Sequence, residues 1–190
     1  MRRSVLVAAL SSWALLLAAG LAWAQRYAAR PGEPAAAISR WPGDTRLARH
    51  AGTPQLLLFA HPECPCTRAA LRELERLVPR LSGADVTVVF STADGSDPRR
   101  STLWTLASQI AGAALAADPG GREARLFGAA TSGQAQLFGS AGEVLFRGGL
   151  TPARGHEGAA GGQDAIVELL AGRRAPSTAA VFGCSLFQEP

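Results

Sequence analysis

Cys64 and Cys66 stand two residues apart in His61-Pro62-Glu63-Cys64-Pro65-Cys66, directly after the apolar run Gln55–Ala60. Thiolates are the nucleophiles of disulfide exchange and the preferred ligands of soft metals, so a close pair points to redox chemistry or metal binding. A cysteine at the start of a helix has its thiolate stabilised by the helix dipole and by free backbone N–H groups, and Cys64 falls at such a junction. Alpha carbons two residues apart lie roughly 5.5–7 Å from each other, at or beyond the usual disulfide span of about 4.4–6.8 Å. A Cys64–Cys66 disulfide is therefore expected to be strained and oxidising. Cys184 makes the count odd, and three roles stay open for it: resolving thiol, metal ligand or ordinary buried cysteine. The carboxylate of Glu63, beside Cys64, is expected to raise the pKa of that thiol. Glu63 or His61 could carry protons. His156, in a Gly-rich loop, is either a lone surface residue or an imidazole ligand to a metal held by Cys64 and Cys66.

The elements that must position these residues can be read from the apolar pattern. Gln55–Ala60 fits a strand buried on both faces, as in a parallel sheet. Thr67–Arg80 reads as a helix, with Leu71, Leu74, Leu77 and Val78 on one face. Val86–Phe90 is a second buried strand, and strand–helix–strand order implies a right-handed crossover between parallel strands. Ser101–Ala117 reads as a helix broken by Asp118-Pro119-Gly120-Gly121, and Arg122–Phe127 as a further short helix. Gln134–Phe138 and Glu143–Arg147, four residues apart, form a hairpin. Gln163–Ala171 is the last helix. The order is β-α-β-α-β-β-α, two parallel strands followed by an antiparallel pair.

Composition narrows the function classes. With 47% hydrophobic and 18% charged residues the chain is not disordered overall. The net charge of +4 suggests a nucleic-acid binder until it is divided along the chain. Arg2, Arg3, Arg26 and Arg30 precede every acidic residue, and residues 31–190 carry 15 arginines against 15 acids. The basic excess flanks Val5–Ala24, an apolar run of 20 residues that spans about 30 Å as a helix. That length favours a membrane anchor, with Arg2 and Arg3 on the cytoplasmic side and Trp23 and Tyr27 at the far interface. Ala22-Trp23-Ala24 also fits a signal-peptide cleavage site. Either way the rest of the chain is expected outside the cytoplasmic membrane, where disulfide chemistry is permitted.

The element order and the cysteine position resemble the thioredoxin-like superfamily over roughly residues 46–172, and in particular its membrane-tethered extracytoplasmic branch. Asp118-Pro119-Gly120 followed by Phe127-Gly128 is similar to the stretch ahead of the third strand in those proteins. His61–Thr67, Thr131-Ser132-Gly133, Arg154–Gly158 and Val181–Cys184 resemble RedB-type thioredoxin-like proteins more specifically. The common motif of the superfamily is Cys-x-x-Cys, so the spacing here is one residue shorter. Its cis-proline position corresponds to Gly133, where a glycine leaves the backbone approachable and opens room for an ion. The resemblance implies an α/β thioredoxin-like fold behind an N-terminal transmembrane helix. Residues 1–24 would form the anchor or signal segment, 25–45 a Pro/Gly linker, 46–172 the domain and 173–190 a tail carrying Cys184.

The expected function is a thiol-disulfide oxidoreductase of the bacterial inner membrane, facing the periplasm or extracytoplasmic side. Cys64, Cys66, Cys184 and Glu63 are its candidate catalytic residues, protein thiols and disulfides its partners, and no cofactor or nucleic acid is required. The alternative is a thioredoxin-fold copper carrier using Cys64, Cys66 and His156.

Overall fold

A computed structural model describes residues 2–33 and 36–187. Pro34, within the expected linker, and the last three residues of the expected tail lie outside the described residues. The order of elements is α1 (Arg2–Ala28), β1 (Gln55–Ala60), α2 (Pro65–Leu77), β2 (Asp85–Thr92), α3 (Thr102–Ala107), β3 (Ala113–Pro119), α4 (Arg122–Leu126), β4 (Gln134–Phe138), β5 (Val144–Gly149) and α5 (Gly161–Leu170). Short 3-10 turns at Val78–Arg80 and Pro98–Arg100 complete them.

The strands form one sheet in the order β3-β2-β1-β4-β5. β1, β2 and β3 are parallel, while β4 is antiparallel to β1 and β5 antiparallel to β4. Every residue of β1 is buried, as its unbroken apolar run requires of a central strand. Alternate side chains feed opposite faces. Leu56 and Leu58 pack with Leu71, Leu74 and Leu77 of α2 and Ile166 of α5. Leu57 and Phe59 pack on the other face with Phe127, Phe138 and Leu186.

One expected helix is half strand. Ser101–Ala117 is helical only over Thr102–Ala107, and Ala113–Pro119 is the third parallel strand. The alanine-rich run 113–117 has high helix propensity, but pairing with β2 overrides it. Gly112, at φ +82°, turns the chain between the two elements.

The segment read as a linker lies along the domain. Gly32 N–H donates to Val181 O at 2.8 Å, Ala36 N–H to Gly128 O at 3.0 Å and Trp41 N–H to Gly142 O at 2.7 Å. The Trp41 ring sits edge-on to Phe127 and Phe138, each 4.9 Å away. Prolines and glycines suit an extended path, and packing of the partly buried Trp41 ring against the core gives that path a place to bind. Residues 25–28 continue α1, whose most apolar stretch has a mean hydropathy of 2.2 and is wholly unburied by the domain. It is one N-terminal helix long and apolar enough to cross a membrane.

The tail is also integral. Arg147 N–H donates to Ser177 O, Ala179 N–H to Arg147 O and Gly149 N–H to Ala180 O, which lays residues 177–180 beside β5. Ser132 N–H donates to Cys184 O and Leu186 N–H to Ala130 O, each at 2.8 Å, and Leu186 enters the core.

Candidate functional site

β1 ends at Ala60, and α2 begins at Pro65 with Cys64 as its N-cap, in an extended conformation. Proline suits the first helical position because it lacks the N–H that would have no helical partner there. The connecting loop is held by a hydroxyl chain. His61 N–H donates to Ser132 Oγ at 2.9 Å, and Thr67 Oγ1 donates to His61 O at 2.9 Å. The Ser132 hydroxyl closes the chain by donating to Thr67 Oγ1 at 2.6 Å. Cys64 N–H donates to His61 O at 3.3 Å.

Cys184 reaches the same place from the far end of the sequence. A Cβ on Gly183 would lie 1.9 Å from the Ser132 carbonyl oxygen, so only glycine lets the tail run this close to the 131–133 loop. The sulfurs of Cys64, Cys66 and Cys184 all lie within 4.8 Å of one another, and all three thiols are free. Cys64 is fully buried, Cys66 nearly so and Cys184 partly exposed.

This crowding separates the three thiols in acidity. The Cys66 thiol donates to the Cys64 sulfur and, against the cost of burial, holds its pKa down to about 4. The backbone N–H and thiol of Cys184 and the backbone N–H of Thr67 add to the effect. Cys66 is pushed far upward, first by its hydrogen bond to Cys64 and then by burial. Burial, followed by the hydrogen bond to Cys64, raises Cys184 to about 11. The site therefore carries one thiolate, at Cys64, cradled by two thiols.

Several expectations change here. Glu63 is exposed and is not among the principal groups acting on Cys64, so its carboxylate does not keep that thiol from acidifying. Its backbone N–H donates to Nδ1 of the buried His61 at 3.3 Å. His156 is exposed, its Nδ1 donating to the Arg154 carbonyl at 2.7 Å, and it is not part of the sulfur cluster. Among the described residues the third member of the sulfur cluster is Cys184. Gly133, at φ +89°, has a conformation that favours glycine, and a Cβ there would stand 3.6 Å from the Ala70 Cβ and 3.8 Å from the Phe182 carbonyl oxygen, ordinary contact distances. Its N–H donates to Phe59 O at 2.8 Å. The Thr67–Ser132 hydroxyl chain had no signal in spacing, since its members lie 65 residues apart.

Fold and site together give a thioredoxin-like fold: a mixed five-stranded sheet with three free thiols gathered at the first β-to-α turn of the domain. No family model matches the chain, and no curated protein matches it. Among solved structures it is similar to a conserved uncharacterised protein from Geobacillus kaustophilus, at 20% identity and a TM-score of 0.60, covering 85% of this chain and 94% of that one. A hypothetical protein from Sinorhizobium meliloti 1021 shares 18% identity at a TM-score of 0.56, covering 73% and 81%. A secreted disulfide oxidoreductase from Mycobacterium tuberculosis shares 15% identity at a TM-score of 0.45, covering 64% and 83%. These are likenesses of fold.

Proposed function

We propose that the protein is a membrane-anchored, extracytoplasmic thiol-disulfide oxidoreductase of RedB type, acting on protein disulfides through Cys64. The observation that carries this reading is the acidified Cys64 sulfur at the N-terminus of α2, within 4.8 Å of two further thiols. The Cys64 thiolate attacks one sulfur of a substrate disulfide, forming a mixed disulfide and expelling the other sulfur as a thiolate, which takes up a proton. A second thiol of the site loses its proton and attacks the Cys64 sulfur. The substrate leaves as a dithiol, two electrons and two protons richer, and the site is left with an internal disulfide. Reduction of that disulfide by an external dithiol completes the cycle, and the same steps in reverse oxidise a substrate.

Cys66 is the better resolving thiol. The hydrogen bond to Cys64 that suppresses its ionisation first of all weakens once Cys64 enters the mixed disulfide, whereas burial continues to suppress Cys184. Equilibration of the protein across a series of glutathione potentials, with peptide mapping at each, tests the assignment. A reversible transition pairing Cys64 with Cys66 is expected, and three thiols that stay free under oxidising conditions would end the oxidoreductase reading.

A second reading is a copper(I) site. Three thiolates around one soft ion at about 2.3 Å stand about 4 Å apart, a spacing to which the three sulfurs are already close. Cys64, Cys66 and Cys184 would hold the ion, and binding would displace the thiol protons of the last two. Titration of the reduced protein with copper(I) under a competing chelator should then saturate at one ion per chain. Binding that survives Cys184→Ala unchanged would exclude the three-sulfur site.

A further inference from the structure

The thiol site is fastened to the end of α1. Arg154 N–H donates to the carbonyl of Ala28, the last residue of α1, at 2.9 Å. Its Nε donates to the Arg30 carbonyl at 3.0 Å, and its guanidinium carbon stands 5.3 Å from the centre of the Tyr27 ring. The next residue, Gly155, has its backbone N–H near enough to Cys66 to act on that thiol, lowering its pKa. From Ala28 O to Gly155 the path is one hydrogen bond and one residue, about 7 Å. On the other side, the bond from Gly32 to Val181 holds the chain after α1 three residues before Cys184.

The apolar run ends at Ala24, and four more helical residues rise about 6 Å, close to the depth of one headgroup layer. Trp23, at the end of the apolar run, and Tyr27, within those four residues, stack 6.0 Å apart at the level where amphipathic rings prefer to lie. No free spacer intervenes, because the segment after α1 is bound along the domain at Gly32, Ala36 and Trp41. With α1 in a bilayer, the sulfurs stand within about 20 Å of the hydrocarbon.

We propose that the three-thiol site is held at the membrane surface and takes disulfides of proteins anchored in the same bilayer, presented close to the headgroups. The proposal rests on the oxidoreductase reading for what is exchanged and on the fastening of α1 for where. A short, stiff tether gives a high effective concentration toward a disulfide at the same height and almost none toward one held out of reach.

The test uses the full chain in nanodiscs of phosphatidylethanolamine and phosphatidylglycerol. Lipid-anchored helical peptides carry one disulfide at about 10 Å or about 60 Å above the anchor, set by spacers rising about 1.5 Å per residue. The low disulfide should be reduced at least about tenfold faster than the high one. Inserting about 12 Gly/Ser residues between Ala24 and Gln25, ahead of every contact that fastens α1 to the domain and with a flexible reach of about 20 Å, should lower that ratio at least about threefold and leave glutathione disulfide turnover unchanged. Equal rates at both heights in the unmodified protein, with glutathione disulfide turned over normally, would overturn this proposal alone. Failure on every disulfide would overturn the oxidoreductase reading with it. Position is read separately, by nitroxide-headgroup quenching of a coumarin amino acid in place of the exposed Ala159. Strong quenching that the insertion relieves is the expected result, and absence of quenching would overturn the placement whatever the activity.

Discussion

At the end of β1 and again at the end of β3 the chain turns into a helix over a buried acidic side chain, and the two turns use it differently. Asp118, 3% exposed, accepts the N–H groups of Glu123 and Ala124 at 2.9 Å each and the Ser91 hydroxyl at 2.8 Å. Its donors are fixed backbone groups and a serine, and they have no chemistry of their own. Cys64 occupies the equivalent turn and also has backbone N–H donors, but its leading donor is the Cys66 thiol, joined by the Cys184 thiol, each able to become a nucleophile or a ligand in turn. A helix N-terminus favours an anion in both places. The nature of the donors decides whether that anion is a fastening or a reagent.

The sharpest way to break the comparison is to remove each acceptor. Cys64→Ser should lower disulfide reduction by at least about 10³-fold, because an alcohol is not ionised at neutral pH and cannot carry the exchange. Turnover measured with a dithiol reductant checks this, and the variant should keep its fold. Asp118→Ala should do the reverse. Three buried donors lose their acceptor, which costs about 3 kcal/mol in urea unfolding, while the titration of Cys64 stays where it was.

These two turns also show what the sequence made legible. The apolar runs of β1 and β2, the leucine face of α2 and the β4–β5 hairpin are periodic and could be read directly, as could the cysteine pair between strand and helix. β3 could not, because an alanine-rich edge strand carries no alternating pattern and its identity comes only from pairing with β2. Asp118 was visible as a helix breaker but not as a cap, since its contacts with Glu123 and Ala124 depend on the left-handed turn at Gly120 and Gly121. The third sulfur was visible only as an odd cysteine. Its role depends on Gly183 and on the tail's bonds to residues 130–132, which no local spacing encodes.

Acidity provides the next test. The Cys66 thiol is the leading cause of the depressed Cys64 pKa, so Cys66→Ala should move that titration upward from about 4 by at least about one unit, or about 1.4 kcal/mol. Ultraviolet thiolate absorbance across pH reads the shift directly. Cys184→Ala should move it less. The same shifts give the reduced protein a pH profile with a definite sign. Cys64 has a folded pKa below its unfolded value, so its contribution is present near pH 9 and is lost as pH falls toward 4. Cys184 has a raised pKa, so its contribution is intact below pH 9 and is lost as pH rises toward 11. Stability of the reduced form should therefore climb from pH 5 to about 8 and decline above about 9, and blocking Cys64 by alkylation should flatten the lower limb.

The smallest expected effect separates position from acidity at the cysteine turn. Thr67→Val keeps the shape of the side chain but removes its bond to the His61 carbonyl and its acceptor for the Ser132 hydroxyl. His61 O retains the Cys64 N–H, and Ser132 Oγ retains the His61 N–H, so the loss should be about 1 kcal/mol in urea unfolding. The Thr67 backbone N–H that helps Cys64 ionise is untouched, which predicts a Cys64 titration unmoved within about 0.3 unit, or about 0.4 kcal/mol. A shift of a full unit would mean that the hydroxyl chain sets the distance between the first turn of α2 and the sulfur. The two turns would then be alike after all, each anion fixed by a rigid polar frame, and the thiol donors would be secondary.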